Sequence, residues 1–405
     1  MHIIFETMNY KVIYIIFFLF LATACHDRNK DNELIDVINI EDEKELLCIE
    51  WGDTTILSHT KAILLEVTEH SLINEITHLE LFNDSIYICD KKENKMLVFD
   101  INGKYSHSIG KRGNAPGNFL SVSTFYINPE NRTIHLIDPL KSTVHCYNLN
   151  GHYLHSRKLA GTLFPHIGDI SHLGNGELFV FSHLNWEKET SGFFILSEKD
   201  FKVKKKISGY PLEVKEKVEY KMTEHPFCLY GNNIRFVNLF SDYVYSLSNG
   251  KSDFAPIYQV KKFGKEIPVN ILKHKYENQN ISPFKLLYNL SVDGEYSTGL
   301  RNIYETTRYI YIEYYGVKLH RQGLLFDKRE KTVTQLKAAD FSPNFSTISY
   351  ISNNNLIRVW ESNEIGQFKE NVSEDVSISD KMKELIERYD VENDNPIILL
   401  YQFKE

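Results

Sequence analysis

Short β-rich runs alternate with polar turns along most of the chain, and one stretch of that pattern repeats without a gap. Residues 85–108 read SIYICDKKENKMLVFDINGKYSHS and residues 133–156 read TIHLIDPLKSTVHCYNLNGHYLHS, an offset of 48 residues. Ile86/Ile134, Asp90/Asp138, Asn102/Asn150, Gly103/Gly151, Tyr105/Tyr153, His107/His155 and Ser108/Ser156 are identical pairs. Each copy predicts three strands. Ile86–Cys89 forms the first and ends at Asp90, Met96–Phe99 forms the second, and the third begins at Tyr105. Asn102-Gly103 between the last two is a strong hairpin signal, because both residue types accept positive φ. Asp90 and Asp138 stand at equivalent strand ends and read as turn-capping acids. Hairpin-linked strands recurring at such a period are the signature of propeller blades. One such sheet cannot bury both faces, so its neighbours must cover them.

Weaker copies follow. Glu177–Phe181 pairs with Gly192–Leu196 and Phe201–Lys204. Asn233–Val237 is followed by Asp242–Leu247 and Ile257–Val260. Arg308–Tyr314 is followed by Gly323–Asp327 and Lys331–Thr334, and Ile348–Ile351 by Leu356–Trp360. Between 262 and 307 the pattern lapses, which predicts an insertion with some helix. Near the C-terminus the period changes. Met382, Leu385, Ile386 and Tyr389 fall at i, i+3, i+4 and i+7, a helical stripe. Ser379 suits the N-cap, Asp380 the first turn, and Asp394-Asn395-Pro396 the stop. The apolar run Ile397–Phe403 then predicts a closing strand paired near Glu45–Ile49 or Ala62–Val67, which removes an exposed sheet edge.

The N-terminus departs from all of this. Ile13–Ala24 is almost wholly apolar but only about a dozen residues long, shorter than the roughly 20 a membrane span needs. It has the length of a signal-peptide h-region, with Lys11 as the preceding positive charge and Met8 as an alternative start. Leu21-Ala22-Thr23-Ala24-Cys25 resembles a bacterial lipobox, in which the Cys is acylated; Ala22 holds the slot where Leu is usual. The other reading is an ordinary secretory signal cut after Ala24. Residues 1–24 are thus expected as a lipoprotein signal peptide, 25–33 as a polar tether and 34–405 as the propeller domain.

Composition narrows the partners. Net charge is −8 with no long basic run, which excludes a phosphate-tracking nucleic-acid surface. The 24 Tyr and 25 Phe favour pleated strands. Export would permit disulfides, yet Cys89 and Cys146 sit inside apolar strand patterns and read as buried thiols, and no Cys-x-x-Cys pair exists. His135, His145 and His155 lie on different strands, and His152 and His155 point to opposite faces, so no metal or other cofactor is expected. No Gly-x-Ser-x-Gly elbow or His-Glu-x-x-His motif is present. Gly110–Gly117 is Gly-rich and basic but lacks the Lys-Ser/Thr and helix of a P-loop. It reads as a connection between blades, or alternatively as a ligand loop carrying Lys111, Arg112, Asn114 and Asn118.

The stretch from Ile63 to Phe119, with Val98–Lys104 and Ile109–Phe119 as its telling parts, resembles the six-bladed β-propeller lipoproteins of Bacteroides-like bacteria, relatives of NHL-repeat propellers. Those proteins carry a Gly-x-Gly-Pro-Gly-Glu-Tyr/Phe loop there; this chain has Asn114-Ala115 for Gln-Gly and Asn118 for Glu. Glu392–Phe403 resembles their closing strand. The resemblance implies an all-β, six-bladed propeller over roughly 34–405, with a short C-terminal helix and closing strand. It also implies a cell-envelope location, lipid-anchored through Cys25 and on the outer membrane. The expected role is a binding module for a glycan, a peptide or an envelope protein. The alternative is a lyase or hydrolase acting on a glycan or peptide at the channel mouth.

Overall fold

Each copy of the 48-residue repeat is the outer three-quarters of a four-stranded antiparallel sheet. The computed structural model describes residues 35–40, 46–159, 167–182, 192–208, 225–238, 241–248, 254–262, 264–266, 289–292, 296–337, 342–345, 347–352, 354–371 and 378–405. The expected signal peptide, the tether and Cys25 lie outside them. So does most of the expected insertion, of which residues 289–292 are helical.

Blade 1 comprises Ile76–Phe82, Ser85–Asp90, Lys95–Asp100 and Tyr105–Ser108, in that order from the axis outward. Blade 2 repeats it with Thr124–Asn128, Thr133–Asp138, Thr143–Asn148 and Tyr153–Lys158. Blade 3 uses Ile167–Gly174, Glu177–Ser182, Gly192–Ser197 and Val203–Ser208. Blade 4 uses Phe227–Tyr230, Asn233–Phe236, Tyr243–Ser248 and Phe254–Lys261, with Asp36–Asn39 along its outer edge. Blade 5 uses Leu300–Glu305, Tyr309–Tyr315, Arg321–Asp327 and Thr332–Leu336, with Leu46–Leu47 added in parallel. Blade 6 is assembled from both ends of the chain: Tyr350–Ser352, Asn355–Trp360, Ile397–Phe403 and, outermost, Leu57–Leu64. The six sheets form a six-bladed propeller. Of the two expected partners for the closing strand, the chain uses Leu57–Leu64, with Ile398 opposite Ile63 and Tyr401 opposite Thr60.

The apolar core is divided into layers between blades. Ile63, Leu79, Ile88, Ile357 and Ile398 fill the gap between blades 6 and 1, and Val98, Phe119, Phe125 and Leu136 the gap between 1 and 2. Tyr126, Val144, Ile170 and Phe194 lie between blades 2 and 3, and Phe179, Phe193 and Phe236 between 3 and 4. The outermost strand of blade 2 is exposed along its whole length, since no further layer covers it. Cys89 and Cys146 are buried free thiols, as their strand context predicts, and Cys228 is a third.

The turns differ from expectation in one detail. At 102–103 only Gly103 has positive φ, at +88°; Asn102 does not. Asp100 Oδ1 accepts from the backbone N–H groups of Asn102 and Lys104, at 2.8 and 3.0 Å. In blade 2, Asn148 does the same for Asn150 and His152, and Gly151 has φ +80°. A capped turn followed by a left-handed Gly replaces the two-residue hairpin, because the side chain two residues before the turn supplies the acceptor. Asp90 and Asp138 are turn caps as read. Each takes one backbone N–H from its own turn (Glu93, Lys141) and one from the preceding loop (Asn74, Leu120).

Two helices interrupt blade 6. Helix α1 (Ser362–Asn371) buries Ile365 and Phe368, and α2 (Asp380–Arg388) buries Met382, Leu385 and Ile386. Ser379 caps α2 by accepting from the Met382 N–H at 3.3 Å. Helix α1 was not expected: with two apolar anchors and Gly366, its stripe is weak. Glu364 offsets this by accepting from the Glu361 N–H at 3.1 Å, closing the first turn.

Candidate functional site: the central channel

A propeller leaves the edges of its inner strands around an axis, and here they enclose a cavity of about 390 Å³. Its lining comes from all six blades and includes His78 and Glu80, Tyr126, Asp169 and His172, His225 and Phe227, Tyr304, and Ser352. A pocket of this size suits a small molecule.

Backbone irregularity aims the polar groups. Blades 1, 3 and 5 each carry a β-bulge near the start of the inner strand, between Ile76 and His78, Ile167 and Asp169, and Leu300 and Asn302. A bulge bends its strand and re-aims the next side chain. His78, Asp169 and Asn302, the residues that follow, all enter one connected polar cluster. His78 Nε2 lies 3.2 Å from Glu80 Oε1. His225 Nδ1 lies 3.2 Å from Asp169 Oδ2, and the His225 backbone N–H donates to Asn302 Oδ1 at 2.8 Å. The Tyr350 ring packs edge-on against both His225 and His78, with centroids 5.1 and 6.4 Å apart, and its hydroxyl donates to Ile76 O. Asn302 is held in turn by Glu313, fully buried, which also binds Arg321 and accepts from the Ile348 N–H. Burial works against the Glu313 charge, but Arg321 and Arg301 hold its carboxyl below the usual range.

The electrostatics of the lining are one-sided. Burial pushes the Glu80 carboxyl above its ordinary value; the neighbouring His78 opposes this and the charge of Asp169 adds to it. Because a carboxylate only accepts, the Asp169–His225 contact places the proton on Nδ1. Nε2 of His225 then has no hydrogen-bond partner, although the side chain is 8% exposed. Closer to the ends of the inner strands of blades 2 and 3, Glu198 gathers Asn128, His172, Tyr126 and His135. Burial disfavours its charge, yet hydrogen bonds from His172 and Asn128 bring its pKa down to about 2.

The expected ligand loop lies elsewhere. Successive strands are antiparallel, so turns after the first and third strands of a blade share one face, and turns after the second share the other with the blade-to-blade connections. Phe82, Pro129, His172 and Asn354 line the cavity near the first of these faces; Gly110–Phe119 is a blade-to-blade connection on the second. Lys111, Arg112, Asn114 and Asn118 are not among the described residues that line the cavity. The loop is tied down instead: Lys141 Nζ donates to Gly113 O and Asn118 O, and the Tyr147 hydroxyl donates to Gly117 O. Gly110 has φ +62°, and an added Cβ would meet the Tyr147 hydroxyl at 2.6 Å. His135, His145 and His155 do not converge: His135 faces Glu198, and His145 bonds Ser156. The channel residues were not found from sequence. The one available signal was His78-Leu79-Glu80, two ionisable residues sharing one face of an otherwise apolar run.

Comparison with solved structures agrees with the architecture. A Bacteroides fragilis protein described as exported superposes with a TM-score of 0.67 at 18% identity, over 91% of this chain and 100% of its own. A member of the DUF4221 family from Bacteroides vulgatus gives 0.53 at 11% identity, over 90% and 99%. No curated protein matches the sequence. The sequence profile of DUF4934, a domain of unknown function, matches residues 34–402. The chain therefore belongs to the DUF4934 family.

Proposed function

We propose that this propeller is a binding module of the cell envelope that holds a small polar ligand in its central channel. The observation that carries the reading is the convergence of six inner strands on one cavity whose polar groups are oriented by bulges and by a buried supporting network. Rigid elements that fix hydrogen-bonding side chains favour selective binding. The envelope location follows from the lipobox-like Leu21–Cys25, with Cys25 acylated at the head of the 25–33 tether. A Cys25→Ala protein should leave the membrane fraction; one that stays there overturns the anchor.

Channel binding is tested with Ser171→Trp, which fills the cavity from blade 3. Saccharides and short peptides are screened by thermal shift against both proteins. A compound that stabilises the wild type should lose its effect in the variant; a compound that stabilises both alike binds elsewhere and refutes channel binding. A hydrolase or lyase at the same site is the second reading, favoured by the Asp169–His225 pair, whose free Nε2 has the arrangement of a general base. Conversion of the bound compound, lost in His225→Ala while binding persists, would establish it.

A further inference from the structure

The chemistry of the channel lining narrows the ligand, an inference that rests on the channel-binding reading. The cavity holds two carboxylates, Glu80 and Asp169, and three histidines, His78, His172 and His225; no Lys or Arg is among the described residues that line it. Glu198, bonded to His172, places a third carboxyl group behind the wall. Low-dielectric walls focus such a field. A ligand anion would meet like charge, and the desolvation cost of burying it would go unrepaid.

Hydrogen-bonding capacity points the same way. Asp169 and Glu80 can only accept when ionised, and in the imidazole tautomer that donates to Asp169 through Nδ1, Nε2 is an acceptor. Nε2 is left without a partner in a side chain more than nine-tenths buried. Buried acceptors without partners are costly, so the site is incomplete without a donor. Asp169 bonds His225 at 3.2 Å, and Glu80 lines the same cavity. Three acceptors lining one cavity match the three N–H bonds of a primary ammonium, and the rings of Tyr126, Phe227 and Tyr304 in the wall suit a cation.

We propose that the channel binds a small organic cation bearing a primary ammonium group, held by Glu80, Asp169 and His225 Nε2.

The probes are 1,4-diaminobutane, its neutral analogue 1,4-butanediol, and succinate, titrated calorimetrically into the full chain at low salt and neutral pH. The diamine should bind at least tenfold more tightly than the diol, and succinate should not bind. Glu80→Gln and Asp169→Asn should each weaken the diamine tenfold or more, and Ser171→Trp should abolish it. Should Asp169→Asn fail to fold, His225→Phe, which keeps a ring but removes the acceptor, should give a comparable loss. Diol binding as tight as the diamine, abolished by Ser171→Trp, would overturn the cation while leaving channel binding intact. Diamine binding that survives Ser171→Trp, or that is unchanged in Glu80→Gln, would also overturn the inference, as would no binding of the diamine.

Discussion

Gly103 and Gly151 are equivalent in the repeat, yet their substitution by Ala should have different consequences. Both have positive φ, +88° and +80°. An L-residue in the left-handed region costs about 1–2 kcal/mol, and this part is common to both. The surroundings differ. A Cβ on Gly103 would stand 2.2 Å from the backbone oxygen of Leu64 and 2.9 Å from the Ile63 side chain, whereas on Gly151 its nearest neighbour is Ser108 O at 3.1 Å. Leu64 belongs to the outermost strand of blade 6, so Gly103 touches the strand that closes the ring. Its carbonyl accepts from Glu66 N at 2.8 Å, and Glu66 returns through Oε2 to the Tyr105 N–H. Backbone cannot yield as a flexible side chain can, and overpacking of this kind adds about 1–3 kcal/mol. Gly103→Ala should therefore lose about 2–5 kcal/mol and Gly151→Ala about 1–2 kcal/mol. Urea unfolding followed by far-ultraviolet circular dichroism measures both. Equal losses would show that the contact with Leu64 carries no cost, and the account of ring closure at Gly103 would be wrong.

Three further outcomes are expected. Ser379→Ala removes the cap of α2 and should cost about 1 kcal/mol in the same unfolding experiment; no change would mean that packing of Met382, Leu385 and Ile386 alone holds the helix. Glu198 has a folded pKa of about 2 against an ordinary 4.5, so its contribution is complete above pH 4.5 and is lost as the pH falls toward 2. After solvent screening that contribution is about 1–2 kcal/mol, and Glu198→Gln should flatten the acid limb of stability against pH. His135, whose burial lowers its pKa to about 4, resists protonation in the folded state, so it too should destabilise the fold as the pH falls below 6.5; His135→Gln should delay the onset of that loss.

The sequence alone determined what is local. Strand periodicity, the offset of 48, turn acids at Asp90 and Asp138, the Ser379 cap and the helical stripe of α2 all depend on neighbours within a few residues, and all are present as read. The number of blades came from a family resemblance, since only two copies of the repeat align cleanly. The innermost strands of blades 1 and 2 were not legible, because Ile76–Phe82 and Thr124–Asn128 differ where the outer strands match. These strands face a different environment at each position around the axis and are free to diverge. Tertiary structure decided the site for the same reason. His78, Asp169, His225 and Asn302 are separated by tens of residues and share no spacing; a ring of six sheets brings their strands to one axis, and bulges at three of them turn the side chains into one cluster. Lys111 and Arg112 lie within the glycine-rich stretch Gly110–Gly117, but strand polarity sends that loop to the other face. Local chemistry could identify the glycines, while only the direction of each strand through the sheet fixed which end of the channel they reach.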